Sequence, residues 1–403
     1  MDPFDIAIIG GGMVGASLAV ALAAAGRRVV LIEAVAPESS AHQSFDERTT
    51  ALGNASRRIF ETLGLWGGVA AHCGVIRAIH VSDAGRFAFA RLSAAEQGIE
   101  AFGFVVPNRV LGDALWTHIR GNNAISVRMP ATATLHSDAS GVTLELSGQG
   151  AAPGETLRAR LAVAADGAHS LVRRAAGITA TEADYGQFGI VANVATDAPH
   201  DGTAYERFTA AGPLALLPLR DGTYTLVWAR TPAAATQTLA ASDREFLDLI
   251  QQHFGWRVGR FVRAGRRASY PLKLTRADES VAQRTVLIGN AAQSLHPVAG
   301  QGFNLALRDV AALAELLAEA GDPGAPELLE RFAQGRALDR RGVTRFTDGL
   351  IRLFGDARPP VRLVRDAGLL LFDLLPPAKR ALARVSLGFG GRTPRMARGL
   401  PLR

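Results

Sequence analysis

The stretch DIAIIGGGMVGASLAVALAAAGRRVVLIEA, residues 5–34, decides the fold. A short isoleucine-rich run stops at a glycine loop, and an alanine-rich run with the composition of a helix follows and ends at Gly26 as a C-cap. A second apolar run, RVVLIEA, then closes at Glu33. Strand, glycine loop, helix and strand in this order predict a buried βαβ unit of a parallel sheet.

Gly10, Gly12 and Gly15 stand in the spacing GxGxxG between that strand and that helix. In such a loop the first glycine permits a tight turn, the second lets a pyrophosphate approach the backbone, and the third lets helix and strand pack closely. The helix N-terminus supplies N–H donors for the phosphates, and a carboxylate at Glu33 accepts the ribose hydroxyls and repels a 2′-phosphate. The pattern predicts a dinucleotide site without choosing between FAD and NAD. Because it occurs once, a second domain for a separate nicotinamide is not expected.

Two later segments repeat the pattern of strand, turn and helix, at 157–177 and from residue 284 onward. Residues 180–280 instead alternate apolar and polar positions, and Asp221-Gly222 predicts a hairpin with a turn of the primed type. We therefore expect an α/β protein with a Rossmann-like dinucleotide-binding domain, an inserted antiparallel β-sheet domain for the substrate and a C-terminal helical tail. The expected boundaries are 1–75, 105–180 and 281–350 for the first domain, 76–104 and 181–280 for the second, and 351–403 for the tail.

Composition places the chain among ordinary globular proteins. Of its 403 residues 48% are apolar and 20% are charged. No run approaches the roughly 18 apolar residues that a membrane span needs, and the N-terminus lacks the basic region of a signal peptide. The single cysteine, Cys73, excludes an intrachain disulfide, suits a reducing compartment and is interpreted as a buried structural thiol. The nine histidines show no ligand spacing, so no metal is expected. These features predict a cytoplasmic location.

The net charge of +7 belongs to the end of the chain. Residues 352–403 contain eleven Arg or Lys against three Asp, and VRLVRDAGLLLFDLLPPAKRALARV places apolar clusters beside arginines. This pattern is typical of a helix that lies on an anionic membrane surface or docks on a partner, and equally of a packing helix with a solvated face. Nucleic-acid binding is not expected, because few aromatic residues accompany the arginines and no nucleic-acid fold motif is present.

Three further segments place a polar residue where a bound cofactor could meet it. Arg48 lies in FDERTTALGNASRRIFETLGLW, in a position that could reach a pyrophosphate, and Arg109 precedes a helix in VPNRVLGDALW. Asp166 ends a predicted strand in AADGAHSLVRRAAGI. A plain helix N-cap is the alternative interpretation for Asp166.

The segment VLIGNAAQSLHPVAGQGFNLALRD, residues 286–309, ends a strand abruptly and restarts as a helix. Gly300, Gln301, Gly302 and Asn304 fall within five residues of each other at that restart. Glycines in front of a helix let a ligand approach the free backbone N–H groups and the positive end of the helix dipole, because any Cβ would hold the ligand away.

Taken together in this order, these motifs resemble those of the class A flavoprotein aromatic hydroxylases, which share the fold of para-hydroxybenzoate hydroxylase, and specifically their ubiquinone-biosynthesis branch. The resemblance covers nearly the whole chain. It implies that FAD is the cofactor, that the GxGxxG loop and the acidic residue bind its ADP half, and that the late glycine segment holds the ribityl chain and the flavin ring. The implied cofactor-binding positions are Gly10, Gly12, Gly15, Glu33, Arg48, Arg109, Asp166, Asn290, Pro297, Gly300, Gln301, Gly302 and Asn304.

Two positions depart from the broad family pattern. Asn290 stands where most members have Asp, and Gln293 stands where they have His. Asn retains a carbonyl acceptor for a ribityl hydroxyl, with one charge fewer beside the cofactor. The variant GNAAQSLHPVAGQGFNLALRD and the tail GLLLFDLLPPAKRALAR are similar to those of the 2-polyprenyl-6-methoxyphenol hydroxylases.

The resemblance implies an external monooxygenase, in which reduced FAD and dioxygen give a flavin 4a-hydroperoxide that transfers oxygen to a polyprenylated phenol. Hydroxylation of 2-polyprenyl-6-methoxyphenol para to its oxygen would yield the 1,4-benzoquinol. The electron donor is NAD(P)H or a separate redox protein. No catalytic residue can be assigned, since His296 beside a proline is interpreted as a structural hydrogen-bonder. The strand 214–217 and Trp228 are expected to roof the substrate pocket.

Alternatives stay open. The chain could hydroxylate another ring position or a soluble aromatic compound, or it could be a non-catalytic flavin-binding subunit of a biosynthetic complex, which Asn290 and Gln293 would permit. A prenylated substrate gives the basic tail a reason to touch the bilayer. We therefore expect a peripheral protein at the inner membrane, in contact with the membrane surface or with other quinone-biosynthesis proteins.

Overall fold

The computed structural model of the chain describes residues 3–39, 48–209, 211–296, 300–356, 358–388 and 393–402. These residues form two large β-sheets, one small sheet and a set of helices around them. The strands are β1 Phe4–Ile9, β2 Val29–Ile32, β3 Thr49–Gly53, β4 Gly74–Ile76, β5 Ala78–Asp83, β6 Phe89–Ser93, β7 Gly103–Pro107, β8 Ile125–Arg128, β9 Thr132–Ser137, β10 Val142–Ser147, β11 Thr156–Ala164, β12 Ala180–Thr196, β13 Thr203–Thr209, β14 Gly212–Pro218, β15 Tyr224–Arg230, β16 Phe261–Ala264, β17 Ala268–Ala277, β18 Val281–Ala282, β19 Thr285–Leu287 and β20 Gln293–Ser294. The α-helices are α1 Met13–Ala24, α2 Asn54–Thr62, α3 Trp66–Ala70, α4 Asn108–Arg120, α5 Leu171–Ala175, α6 Pro232–Ala240, α7 Asp243–Phe254, α8 Gln301–Ala318, α9 Pro326–Gly355, α10 Pro359–Leu374 and α11 Pro376–Ser386.

The first sheet has a parallel centre in the order β19, β11, β1, β2, β8. Helices α1, α4 and α8 pack on one face, and the antiparallel pair β9–β10 with α5 covers the other. Strands buried on both faces need continuous apolar sequence, which is what the runs at β1, β2 and β11 provide. The Rossmann-like part of the predicted fold is therefore confirmed.

The second sheet runs in the order β20, β17, β12, β15, β14, β13, β5, β6, and β16 also pairs with β12. Its strands are antiparallel except for the parallel pair β13 and β5. Helices α6 and α7 cover its back. The antiparallel substrate sheet predicted for the middle of the chain is thus present, and strands β5 and β6 extend it.

Two details of that prediction were wrong. In the hairpin of β14 and β15, Gly222 has a φ of +87° but Asp221 does not have a positive φ, so the turn is not the predicted two-residue primed type. A longer loop forms instead, closed by the Leu219 N–H donating to the Thr223 carbonyl at 2.9 Å. Trp228 packs in the core between the sheet and α7, facing away from the cavity described below. Successive side chains alternate between faces, and Trp228 lies on the opposite face from Val227.

The small sheet joins the two large ones. It has the order β3, β7, β4, and the Thr49 hydroxyl of β3 donates to the Thr225 hydroxyl of β15 at 3.1 Å. This bond fixes the beginning of β3 against the second sheet. As a result β3 and the start of α2 lie between the dinucleotide loop and the substrate sheet.

The C-terminal region packs against both parts of the fold. Helix α10 lies on β6 and contacts α9 and α11, while the segment 393–402 returns to α2 and α8. There Met396 is buried, and the Arg395 N–H donates to the Glu315 carboxylate at 2.7 Å. The domain boundaries given above, including the one at 351, stay a prediction. None of the helices in the described ranges is long and apolar enough to cross a membrane.

A buried charge network joins α8 to α9. Asp309 accepts hydrogen bonds from Arg336 at 2.6 Å and from Arg340 at 2.9 Å, and Asp339 accepts from Arg308 at 2.8 Å and from Arg336 at 2.5 Å. Burial by itself would raise the pKa of Asp309, but Arg340 and Arg336 outweigh it and hold the pKa below its usual value. A carboxylate placed between two buried cations is costly to remove alone, since both cations lose their partner.

We predict that Asp309→Asn lowers the free energy of unfolding by about 3–5 kcal/mol, measured by urea denaturation at neutral pH. The matched control is Asp348→Asn, whose partner Arg352 is 80% exposed and whose loss should cost less than about 1 kcal/mol. Because the folded-state pKa of Asp309 is depressed, its contribution is fully present above its ordinary pKa of 3.8 and is lost as the pH falls through the depressed value. Equal unfolding midpoints for the two variants would contradict this role.

Candidate active site

The dinucleotide loop has the geometry that its glycines predict. Gly10 has a φ of +103°, and a Cβ there would lie 2.4 Å from the Ala165 carbonyl oxygen. A Cβ on Gly15 would lie 1.9 Å from the Gly10 carbonyl oxygen. Helix α1 begins at Met13 with Gly12 as N-cap and no side-chain cap. The first N–H groups of α1 are therefore open to an anion.

Glu33 lies beside this loop, as predicted. Its carboxylate accepts the Gly11 N–H at 2.5 Å and the Val35 N–H at 2.8 Å, and the side chain is buried. These bonds fix the carboxylate at the carboxyl end of β2, one strand from the loop. A ribose next to the loop would meet an acceptor that is already oriented.

Asp166 caps a helix with one carboxylate oxygen and leaves the other available for a ligand. One carboxylate oxygen accepts the N–H groups of Leu171 and Val172 at 2.8 and 3.2 Å, which caps α5. The other oxygen is buried and has no hydrogen-bond partner among the described residues. A buried acceptor without a donor is costly, so this oxygen fits a ligand hydroxyl.

The segment after β19 packs against the GxGxxG loop. Gly289 has a φ of +59°, and a Cβ there would lie 3.1 Å from a Val14 methyl at the start of α1. The GxGxxG loop and the short 3-10 turn Gly289–Ala291 are therefore in close contact. Asn290 of this turn is exposed.

Helix α8 begins behind Gly300, which has a φ of +59° and provides no side-chain cap. Gly302 is exposed, and a Cβ there would meet none of the described protein atoms within 4 Å. Gln301 is buried and lines the cavity described below. A bare helix start next to open space fits a planar, electron-rich ring. Pro297 lies outside the described residues.

Asn304 differs from the glycines because its side chain bonds to other parts of the protein. Its Oδ1 accepts the Gly53 N–H at 2.8 Å and the Ser56 hydroxyl at 2.6 Å. Its Nδ2 donates to the carbonyl oxygens of Ala51 and Gly300, both at 2.8 Å. Side chain Asn304 thus holds the start of α8 against β3 and α2.

Arg48 and Arg109 lie further from the glycine loops than Glu33 and Asp166 do. The Arg48 carbonyl accepts the Asn108 N–H at 2.8 Å, and the Arg48 guanidinium lies over the Tyr270 ring at 5.7 Å. Arg109 is exposed in the first turn of α4 and lines a surface depression of about 440 Å³ together with His72 and Asp113. The backbone of the two segments is therefore adjacent, while no described contact joins Arg109 to the glycine loops.

His296 is buried, and burial lowers its pKa from 6.5 to about 4. Its ring meets Tyr185 edge to face, with ring centroids 5.1 Å apart. The imidazole is neutral at physiological pH as a consequence. This environment supports the interpretation of His296 as a structural residue.

A cavity of about 510 Å³ begins at the start of α8 and continues under the second sheet. At one end it touches Gly300, Gln301 and the strand β3. Its roof is formed by the apolar face of β13, β14 and β15 with β5 and β6, including Ala215, Leu217 and Val227. The predicted strand 214–217 is therefore part of the roof, although only its odd-numbered positions face the cavity.

The floor and far end of the cavity come from the C-terminal helices, which sequence reasoning did not assign to the site. The contributing residues are Phe346, Leu350, Leu353 and Phe354 of α9, Val364, Arg365, Gly368, Leu369 and Phe372 of α10, and Leu382 of α11. On α10 these positions follow a spacing of three and four residues, which is one face of a helix. This spacing is visible in the sequence and could have predicted that one face of α10 lines an apolar cavity. Leu353 and Val364 are also exposed, so the cavity reaches the surface there.

Proteins similar to this chain include hydroxylases of quinone biosynthesis. Ubiquinone hydroxylase UbiL of Rhodospirillum rubrum is 39% identical over 99% of this chain and 93% of its own length. The 3-demethoxyubiquinol 3-hydroxylase of Escherichia coli is 33% identical over 96% of this chain and 99% of its own. Among solved structures, the p-nitrophenol 4-monooxygenase PnpA of Pseudomonas putida shares the fold, with a TM-score of 0.79 at 20% identity over 98% of this chain and all of its own.

We predict that Gly302→Ala weakens FAD binding at least about tenfold, or about 1.4 kcal/mol, without lowering the melting temperature. The added methyl meets no atom of the described residues, and alanine favours the helix, so we expect the loss of affinity to come from the ligand that approaches this face. Titration of the apoprotein with FAD, followed by flavin fluorescence, measures the effect. The control is Gly335→Ala on α9, where a Cβ also meets nothing and FAD affinity should be unchanged. Unchanged affinity in Gly302→Ala would remove the start of α8 from the cofactor site.

The geometry and the comparisons agree with a family model. The FAD binding domain model matches residues 3–347, which include both glycine loops, Asp166 and the second sheet. The buried acceptor of Asp166 and the open face of Gly302 are features that a bound flavin nucleotide would occupy. The chain belongs to the FAD binding domain family, as an FAD-dependent aromatic-ring monooxygenase of the class A type from the ubiquinone-biosynthesis branch.

Proposed function

We propose that this enzyme hydroxylates the aromatic ring of a polyprenylated phenol, converting 2-polyprenyl-6-methoxyphenol to the 1,4-benzoquinol. The observation that carries the proposal is the shape and lining of the cavity. It extends from the start of α8 to exposed residues of α9 and α10, and most of its lining is aliphatic or aromatic. A ring can stand at the α8 end while a prenyl chain follows the apolar wall toward the surface.

FAD supplies activated oxygen from dioxygen when it is bound and reduced, and the chain supplies the binding site. In this proposal the loop residues hold the pyrophosphate, Glu33 holds the ribose, and the free oxygen of Asp166 accepts a cofactor hydroxyl. Asn304 acts by holding the loop, because its amide is engaged in four protein hydrogen bonds. The residues proposed to form the FAD site are Gly10, Gly12, Gly15, Glu33, Arg48, Arg109, Asp166, Asn290, Pro297, Gly300, Gln301, Gly302 and, through the loop that it holds, Asn304.

The single GxGxxG loop supports a reductant that binds transiently. A second dinucleotide domain would need its own βαβ fingerprint, and the sequence contains one. NAD(P)H from solution or a separate redox protein therefore delivers the electrons.

One test is the identity of the quinone precursor that accumulates in a strain without the protein, measured by mass spectrometry. We expect the polyprenylated methoxyphenol to accumulate and the wild-type gene to remove it. The purified enzyme with FAD, NAD(P)H or a redox partner, and dioxygen should convert the same phenol to the quinol. Accumulation of a precursor that lacks a different hydroxyl would contradict this ring position.

A second candidate is hydroxylation at another position of a prenylated ring. The observation that favours it is the similarity to the Escherichia coli 3-demethoxyubiquinol 3-hydroxylase, which covers nearly the whole of both chains. The same precursor analysis separates the two candidates, because the accumulating compounds differ in mass and in ring substitution. A soluble phenol that is hydroxylated as fast as a prenylated one would contradict both.

We also propose that the second apolar face of α10 lies on the membrane surface. Leu363, Leu371 and Leu374 are 71%, 58% and 75% exposed. They stand on one side of α10, and the cavity-lining residues stand on the other. Exposed arginines follow and precede the helix, among them Arg358 and Arg380. Contiguous exposed leucines with flanking cations fit an anionic bilayer, and contact there would place the cavity opening at the lipid.

We predict that Leu371→Asp/Leu374→Asp lowers binding to vesicles containing anionic phospholipid by at least tenfold in a flotation assay, since each buried leucine contributes about 2 kcal/mol. Leu338→Asp is the matched control, because Leu338 is 80% exposed on α9 outside this face. It should float like the wild type. Point substitutions are preferable to truncation before Pro359, because α10 and α11 line the cavity. Equal flotation of all three proteins would exclude this face.

A further inference from the structure

The rear face of the second sheet, opposite the cavity, carries arginines around a buried histidine. His80 of β5 lies between Arg91 of β6 and Tyr205 of β13, because the strand register pairs it with both. Its neighbours along β5, Ile79 and Val81, line the cavity, so the His80 side chain points to the other side. Helix α7, which covers this rear face, ends next to the Tyr205 ring.

The His80 ring is buried without a hydrogen-bond partner. It is 3% exposed and lies against the rings of Phe89 and Tyr205, with centroid distances of 5.5 and 5.7 Å. In the part of the chain that the structure describes, neither ring nitrogen is hydrogen-bonded, and a contact with the residue's own carbonyl falls short of hydrogen-bond geometry. Buried polar groups of native proteins are satisfied by protein, water or a ligand. The His80 ring therefore needs a partner from outside the chain.

Three arginines lie around this ring. Arg91 and Arg257 are exposed, and Arg207 is half-buried, with its Nε donating to the His253 carbonyl at 3.0 Å. Burial, followed by the charges of these three arginines, lowers the pKa of His80 from 6.5 to about 4, so the imidazole is neutral. None of the three guanidinium groups forms an ion pair with another described residue. The three arginines and His80 together form the rear cluster.

Three acidic side chains act on this region, and each is engaged with another group. Asp83 stands on the cavity side of β5 and is paired with an arginine of α10. Asp373 pairs with Lys379 at 2.8 Å and accepts the backbone N–H of Arg91 at 2.9 Å. Asp201 accepts a backbone N–H two residues further along the chain, also at 2.9 Å. Within the described ranges, the guanidinium groups of the rear cluster therefore repel each other without a carboxylate between them.

We propose that the rear cluster binds the phosphate group of a small soluble compound. A guanidinium group presents two parallel N–H donors that match two phosphate oxygens, and a doubly charged anion offsets the repulsion among the three cations. That repulsion is visible at Arg207, whose pKa is lowered by burial and by the charge of Arg257. Beneath the arginines, the neutral His80 ring donates its N–H to a phosphate oxygen, which supplies the hydrogen bond that the protein does not provide.

The rear cluster faces solution and lies away from the proposed membrane contact. Arg91 and Arg257 are exposed, and their long side chains can rearrange around a ligand that approaches His80. Helix α10, with its exposed leucines, lines the cavity on the other side of the sheet. A lipid head group at α10 would not reach the rear cluster, which favours a soluble ligand. Neither a phenol nor the flavin takes part, so this site does not rest on the proposed function.

The test is calorimetric titration of the FAD-loaded enzyme with inorganic phosphate at constant ionic strength. FAD has to be bound, because the open start of α1 is itself suited to an anion. We expect saturable binding to the wild type and at least about tenfold weaker binding to Arg207→Gln and to Arg257→Gln, each of which removes one charged donor group. Arg257 is exposed, so its replacement leaves the fold intact. The control is Arg266→Gln, an exposed arginine between β16 and β17, with unchanged affinity expected.

His80→Phe provides a further variant, because phenylalanine keeps the ring contact with Phe89 and removes both nitrogens. Without phosphate it should melt no lower than the wild type, since it removes a polar group that has no partner. Its phosphate affinity should fall at least about fivefold, and phosphate should therefore raise its melting temperature less.

Three results would overturn the assignment. The first is no saturable phosphate binding to the wild type. The second is wild-type affinity in His80→Phe, or equal affinities in Arg207→Gln and Arg266→Gln. The third concerns the source of the phosphate group: flotation on vesicles of anionic phospholipid should be the same for Arg257→Gln and the wild type, and a loss of flotation would assign the rear cluster to lipid head groups instead of a soluble compound.

Discussion

The Asn304 amide connects the parts on which the site depends. Its four hydrogen bonds join the first turn of α8 to the end of β3, to α2 and to the Gly300 carbonyl. Each bond contributes on the order of 1 kcal/mol, but leaving a buried partner unsatisfied costs about 1–3 kcal/mol. The amide can satisfy two donors and two acceptors at once, which Asp or Leu of similar size cannot. The bare start of α8 is therefore held in place by a side chain of the same helix, and the glycines in front of it stay free of side chains.

Much of the cofactor cradle could be predicted from the sequence because its requirements are local. Gly10, Gly15 and Gly300 have a positive φ or a backbone contact that excludes a Cβ, and such positions leave a glycine in the sequence. Glu33 follows its strand at the spacing that the βαβ unit imposes. Asn304 appeared as a motif residue, but its partners Gly53 and Ser56 are about 250 positions away, and nothing in the local sequence shows that bond.

The cavity was harder to predict, because both faces of its strands are apolar. Strands β14 and β15 carry apolar residues at nearly every position, so alternation alone could not tell whether Leu217 and Val227 or Leu216 and Trp228 face the substrate. The choice is made by α7, which covers the Trp228 face.

Helix α10 also has two apolar faces, and buried ion pairs determine which of them faces the cavity. Because it is apolar on two faces, hydrophobic burial alone gives it little preference for which face turns inward. Arg365 breaks that symmetry. Its pairing with Asp83 and with the carbonyls that end α9 is possible only in one rotation of the helix, and Asp366 adds a contact with Arg86 at 3.5 Å. Buried ion pairs of this kind contribute little net stability after desolvation, but the alternative rotation would leave both charges buried without partners, which is far more costly. The leucines on the other face are thereby kept outside, at the place where the cavity opens.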